Sequence, residues 1–219
     1  MGFRSASAPV AVAVRMSAAR LPIFPLTGAI LFPGLQLPLH IFEPRYRALV
    51  GSALARDRRI AMIQPQAPEE GSPLFAVGCI GKIEDVEALE DGRYNIVLAG
   101  ESRFRILREL DVTTPFRQVE AELLGEGGEQ FLSPAERAGL EQEARRFAER
   151  QGYSIDWDSI ARLDDAALVN GVSQIAPFDA AAKQALIEAA DLPTRCELLV
   201  QLMQFFGLGD PDENRVTLQ

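Results

Sequence analysis

The sequence predicts an α+β protein: a small, strongly bent β-barrel or sandwich holding one helix, followed by a bundle of helices. Three observations predict it. From Leu21 to Leu124 the chain is cut into short apolar or alternating runs separated by Gly and Pro, which is the pattern of many short strands with frequent turns. Within that stretch one segment, after Pro44, carries the i, i+3, i+4 spacing of a buried helix face. Beyond the break at Gly125–Gly128, Ala, Leu, Glu and Arg dominate and capping residues precede apolar stripes. The chain has 219 residues, 47% hydrophobic and 24% charged, so a packed core is the expectation rather than disorder.

Residues 1–20 (MGFRSASAPVAVAVRMSAAR) carry no acidic residue, and their apolar run Ala8–Val14 is short and broken by Pro9. That is too little for the centre of a signal peptide, and the segment is expected to be a disordered tail, with Met16 an alternative start. Leu21–Leu26 and Ala29–Phe32 are short apolar runs bounded by Pro25, Thr27-Gly28 and Pro33-Gly34, which suits strands or turns better than helix. Leu35–Phe42 alternates, with Leu35, Leu37, Leu39 and Ile41 on one side and Gln36, Pro38, His40 and Phe42 on the other. Pro38 has no N–H to give a ladder, so this strand belongs at an edge or carries a bulge.

Glu43-Pro44-Arg45 opens the helix, with Pro in the first turn and a carboxylate near the positive end of the dipole; Tyr46, Leu49, Val50, Ala53 and Leu54 form its buried stripe. Ile60–Ile63 is a strand. Gln64–Pro73 (QPQAPEEGSP) is a polar, Pro-rich loop, either a place where partners touch or a tolerated surface loop. Gly78 and Gly81 mark bulges or close backbone approach in the strand Val77–Leu89. Asp91-Gly92 signals a hairpin returning through Tyr94–Leu98. Arg103, Arg105 and Leu107 alternate with Phe104, Ile106 and Arg108, and Phe116–Leu124 is the last strand.

In the second half, Ser133-Pro134-Ala135-Glu136 is a capping box, followed by the stripe Leu140, Ala144, Phe147 and Ala148. Asp156 caps a short helix through Leu163, and Asp165–Ile175 stops before Pro177. Asp179 caps Ala180–Ala190, and Asp191 opens a last helix that turns Leu198, Leu199, Leu202, Met203 and Phe206 inward and ends at Gly207. The organisation expected is a tail over 1–20, a β-domain over 21–125, a helical bundle over 126–209 packed against it, and a polar tail over 210–219.

LPIFPLTGAILFPGLQLPLHIFEPRYRALV (Leu21–Val50), VGCIGKIEDVEALEDGRYNIVLAGESRFRI (Val77–Ile106) and DLPTRCELLVQLM (Asp191–Met203) resemble, in order, the opening, second and closing blocks of the N-terminal, substrate-recognition domain of the ATP-dependent Lon protease. The resemblance spans Leu21 to Met203. It implies a PUA-like pseudo-barrel for the first half and a protein-binding role, in a form without Lon's ATPase and protease domains.

The motifs those activities need are missing from the residues themselves. A phosphate loop requires G-x-x-x-x-G-K-[ST]; Ala76–Ile83 keeps Gly81-Lys82 but has Ala76 for the first glycine and Ile83 for the hydroxyl that ligates magnesium. Lon's peptidase uses a Ser–Lys pair, and neither Lys82 nor Lys183 lies in a sequence resembling that domain. His40 is the one histidine and no Ser sits in a G-x-S-x-G elbow. One histidine and two distant cysteines, Cys79 and Cys196, give no zinc spacing, and read as buried free thiols of a reducing compartment. No metal or cofactor is expected. No apolar run reaches the roughly 18 residues of a membrane span, and a cytoplasmic location is expected.

The net charge of −9 makes nucleic acid an unlikely partner. The expected function is non-enzymatic binding of unfolded or damaged polypeptide or of a specific protein partner. The alternative is a PUA-like binder of RNA or a nucleotide-like ligand, supported by the basic spot Arg103, Arg105 and Arg108. The candidate binding residues are Phe32, Pro33, Leu35, His40, Phe42, Glu43, Arg45 and Tyr46. Phe32, Pro33 and Phe42 are either core or the lining of an apolar groove. Glu43 and Arg45 either cap and pair at the helix start or face a ligand beside Tyr46.

Overall fold

The computed structural model describes residues 18–125 and 130–207. Six strands come first: β1 Ala18–Pro25, β2 Gln36–Ile41, β3 Arg59–Ile63, β4 Val77–Ala88, β5 Tyr94–Leu110 and β6 Gln118–Leu124, with α1 (Pro44–Leu54) between β2 and β3. Five helices follow: α2 Pro134–Gln151, α3 Trp157–Ile160, α4 Asp165–Ile175, α5 Ala180–Glu188 and α6 Leu192–Phe206. β1 begins at Ala18, so Ala18–Arg20, assigned to the tail by sequence, are strand residues that pair with Glu120–Glu122 of β6. The rest of the expected N-terminal tail, 1–17, the last two residues of the expected bundle, 208–209, and the expected C-terminal tail, 210–219, lie outside the described residues.

The strands run β2-β5-β4-β3-β1-β6, and an additional β5–β6 pairing closes the sheet. The 17-residue β5 makes this possible. Its first half, Tyr94–Ala99, pairs with β2, while Arg103–Leu110 pairs with β6. The closed ring is therefore β1, β3, β4, β5 and β6, and β2 is an added edge strand. All ladders are antiparallel except β1–β3, whose parallel connection runs through α1. β4 is one continuous strand: Gly78 pairs in regular register with Phe104, and the register shifts fall at Ile80/Gly81 and Ile83/Asp85.

Pro38 sits where the sequence reading put it, on an edge. Gly100 N–H donates to Leu35 O at 2.8 Å, so by alternation Leu35, Leu37, Leu39 and Ile41 bond toward β5, and Gln36, Pro38 and His40 turn their backbone outward. The missing N–H of Pro38 thus falls where no ladder requires it. At one end of this outward edge the Gln36 carbonyl accepts from Gln174 Nε2 of α4 at 2.9 Å.

The large hydrophobic cluster is continuous through both halves. It joins Phe24, Leu31, Phe32, Leu49 and Leu98 to Leu140, Phe147, Leu168, Leu186, Leu199 and Met203. A second, small cluster of Ile23, Ile63, Phe104 and Val119 with their neighbours fills the barrel. Polar cross-links stitch the interface. Gln64 donates to Ala180 O and Gln184 Oε1, and Gln184 donates to Val77 O. Buried Arg195 on α6 donates to Leu186 O and Asn170 Oδ1, and its guanidinium lies 5.3 Å from the Phe32 ring centroid.

The local predictions for the helices hold at their starts. Ser133 and Glu136 form the reciprocal capping box, and Asp156, Asp179 and Asp191 each accept a backbone N–H; Asp164, not singled out as a cap in the sequence, does the same for α4. α3 is shorter than expected, ending at Ile160.

A candidate polypeptide-binding cleft at the barrel mouth

The strand ends of β1 and β2, the start of α1, and the loops after β3 and before β6 surround a cleft of about 710 Å³. Five of the predicted residues meet there: His40, Phe42, Glu43, Arg45 and Tyr46. Phe42 follows the last residue of β2 and is 61% exposed. His40 stacks on it, ring centroids 6.2 Å apart. The imidazole is fixed by its neighbours: Arg93, which only donates, reaches Nε2 at 3.2 Å, so Nδ1 carries the hydrogen and donates to Asn95 Oδ1 at 2.7 Å.

Tyr46 forms the cleft floor with Phe24, edge to face at 4.3 Å, and its hydroxyl donates to Pro25 O at 3.3 Å. Burial pushes the phenol above its ordinary pKa. The Arg45 guanidinium lies over the Tyr46 ring at 4.7 Å and bonds to Glu43, Nε–Oε2 2.9 Å, and to Glu70 of the loop after β3. Glu43 occupies the N-cap position of α1 but its side chain makes no capping bond. Its carboxylate goes to Arg45 instead, so the expected cap is in fact only an ion pair.

Phe32, Pro33 and Leu35 are corrections: none lines the cleft. Ala29–Phe32 is irregular backbone carried between the barrel and the helices, and Phe32 is fully buried in the shared core. The close fit is enforced at Gly100, where a Cβ would come within 2.0 Å of the Phe32 carbonyl oxygen. Pro33 and Leu35 are half-buried along the same path. Three short apolar runs in succession look alike in sequence, and only the tertiary arrangement decides which of them faces water.

The remaining wall was not predicted residue by residue. Pro65, Pro68, Glu69, Glu70 and Gly71 come from the loop suspected of touching partners, while Glu109 comes from the end of β5 and Pro115, Phe116 and Arg117 from the β5–β6 connection. Arg117 makes a two-bond fork to Glu109, both at 2.7 Å, and donates to Ser72 O at 3.1 Å. The fork holds the Glu109 carboxyl below its ordinary pKa and raises that of Arg117. Sequence reading singled out neither residue, because it is the β5–β6 pairing that brings them together.

A second cleft, also of about 710 Å³, lies in the helical half between α2, α3, α4 and α6. Phe147, Trp157, Ile160, Val172, Ile175 and Met203 line it, and Ile175 is 76% exposed. Arg145 stacks on the Trp157 ring at 4.4 Å. Sequence reading missed this cleft because its parts lie on four helices.

The basic spot read from Arg103, Arg105 and Arg108 does not form. Arg103 is 3% exposed and donates to Ile187 O and Ala189 O, at 3.0 and 2.6 Å, clamping the C-terminal carbonyls of α5. Arg108 is paired with Glu120 at 2.5 Å. Cys79 and Cys196 are buried and unbridged, and burial pushes the Cys196 thiol up to about 11. Among the described residues no three His, Cys, Asp or Glu side chains gather as a metal site, and no helix is long and apolar enough to cross a membrane.

Comparison with known proteins agrees with this architecture. The family described as the ATP-dependent protease La (LON) substrate-binding domain matches residues 20–204. A Lon protease of Salinispora arenicola is 32% identical over 188 residues, covering 83% of this chain and 23% of the relative. Lon protease 2 of Herpetosiphon aurantiacus is 27% identical over 187 residues, covering 82% and 23%. The chain therefore spans about a quarter of the length of these relatives. Among solved structures, a Lon N-terminal domain protein from Xanthomonas campestris superposes with a TM-score of 0.64 at 22% identity, covering 84% of this chain and 98% of that one. The N-terminal domain of a Mycobacterium avium complex Lon protease gives the same score and identity, covering 85% and 98%. The first half is the expected pseudo-barrel, the second the expected helical bundle, and the chain belongs to the Lon substrate-binding domain family.

Proposed function

We propose that this chain is a non-enzymatic module that binds unfolded polypeptide or a specific protein partner, and that the barrel-mouth cleft is its site. The observation that carries the reading is Phe42. A large aromatic side chain, 61% exposed, stands at the end of a free-edged strand and beside a cleft floored by Phe24 and Tyr46. Exposed aromatics beside a concave apolar floor are what a polypeptide-recognition surface uses. An extended segment can run along the outward edge of β2 past Pro38 and His40 and set side chains into the cleft. The missing phosphate loop and nucleophile–base pair support a role without chemistry, and the purified protein should hydrolyse neither ATP nor casein.

The test is titration of a neutral, apolar, labelled peptide at low and high salt, with Phe42→Ala beside the parent protein. Binding that changes little with salt and is lost in the folded variant supports the reading. Absence of peptide binding, together with tight, salt-sensitive RNA binding that depends on Arg105, would hand the case to the RNA alternative.

A further inference from the structure

The cleft has a charge character that the apolar reading leaves unused. Four carboxylates line it, Glu43, Glu69, Glu70 and Glu109, against two guanidiniums, Arg45 and Arg117. Both guanidiniums already have a protein acceptor on each of their three nitrogens. Arg45 places Nε and Nη2 on Glu43 and Nη1 on Glu70. Arg117 places Nε and Nη2 on Glu109 and Nη1 on Ser72 O. Both ring nitrogens of His40 are already engaged, by Arg93 and Asn95. An incoming carboxylate therefore meets cations already neutralised by protein carboxylates, and an excess of acceptors. An incoming ammonium or guanidinium meets Glu69, which is in no ion pair among the described residues, and the outer face of Glu70, whose side chain is 78% exposed.

We propose that the cleft selects polypeptide segments in which a bulky apolar residue is flanked by lysine or arginine. The proposal rests on the polypeptide-binding reading above and adds the class of segment chosen. The apolar floor of Phe24 and Tyr46 takes the bulky side chain, and Phe42 covers it. Glu69 and the outer face of Glu70, in the loop after β3, take the flanking cation. The exposed carboxylates make the charge contribution modest and screenable, so it sets the choice among segments while apolar contact sets the affinity.

The experiment is fluorescence anisotropy on the full chain with three labelled, end-blocked peptides that share a Phe-Pro-Phe centre and carry Lys, Gln or Glu on both flanks. The expected order is Lys over Gln over Glu, with Lys about fivefold tighter than Gln at low salt and the gap closing at high salt. Glu69→Gln, which breaks no ion pair, should close most of that gap. Glu149→Gln, an equal charge change on the exposed face of α2, should leave it open. Circular dichroism and the binding of the Gln peptide show that each variant is folded. Equal binding of the Lys and Gln peptides, or an equal loss of preference in both variants, overturns the proposal and leaves the polypeptide-binding reading standing. Binding of none of the three peptides overturns that reading itself.

Discussion

The two halves of the molecule each open a cleft of about 710 Å³, and the two are made of different material. The barrel-mouth cleft is assembled from strand ends and loops. Its aromatic floor is ringed by ion pairs: Arg45 is held between Glu43 and Glu70, and Arg117 between Glu109 and the Ser72 carbonyl. The helical cleft is assembled from helix faces, is apolar almost throughout, and has Glu141 and Asp156 as its charged lining residues. Equal volume therefore does not mean equal recognition. Fixed polar groups around an apolar floor orient a chain and discriminate among segments, and the barrel cleft has Arg45 and Arg117 tied in place by ion pairs. Burial differs too. The barrel cleft borrows its floor from the core through Tyr46 and Phe24, whereas Ile175 stands 76% exposed at the helical one.

The largest effect that sharpens this comparison is on stability. Phe32 was a candidate binding residue and is core, so Phe32→Ala should cost about 3–5 kcal/mol. Because Phe32 joins barrel to helices, urea unfolding followed by the fluorescence of Trp157, the single tryptophan, and by far-ultraviolet circular dichroism should shift together in one transition. Separate midpoints for the two signals would mean that the halves unfold independently.

The next effect contrasts two helix starts. Ser133 accepts the Glu136 N–H and Glu43 makes no capping bond. Ser133→Ala should therefore cost about 1 kcal/mol. Glu43→Ala should cost less than about 0.5 kcal/mol as a partly exposed ion pair. Equal losses in chemical denaturation would contradict the capping difference.

A smaller effect depends on pH. Asp165 accepts from Leu132 N–H at 3.0 Å and from Arg137 at 2.7 Å, and both hold its carboxyl below the ordinary range. A depressed folded pKa contributes stability above the unfolded value, near about 3.9, and that stability is lost as pH falls through the folded value. Asp165→Asn should therefore be less stable than the parent at pH 7, with the gap narrowing below about pH 4. A gap that stays constant from pH 7 to pH 3 would show that charge is not its source. The smallest effect is at Phe42, where truncation to Ala should change stability by less than about 0.5 kcal/mol, leaving binding as its readout.

Much of this was legible in the sequence because the relevant signals are local. Pro38 predicted an edge strand, Ser133, Asp156, Asp179 and Asp191 placed helix starts, and Gly78 predicted close approach, realised where a Cβ would lie 2.2 Å from Met62 O. His40, Phe42, Glu43, Arg45 and Tyr46 are near one another in sequence as well as in space, so their grouping could be read. What could not be read depends on pairing across long separations. The fork between Arg117 and Glu109 follows from the β5–β6 register, and the burial of Arg103 follows from where α5 ends. The choice of Phe32 as core and Phe42 as surface follows from which side of the barrel the helices cover.

The central claim is that polypeptide binds at the barrel mouth and not in the helical cleft. The most direct measurement is photo-crosslinking of an apolar peptide carrying a benzophenone side chain, with the labelled residues mapped by mass spectrometry. The account predicts adducts on Phe42, Tyr46 and the loop Pro65–Gly71, lost on competition with unlabelled peptide. Competable adducts confined to Tyr153–Ile160 and Ile175 would contradict it and move the site to the helical half.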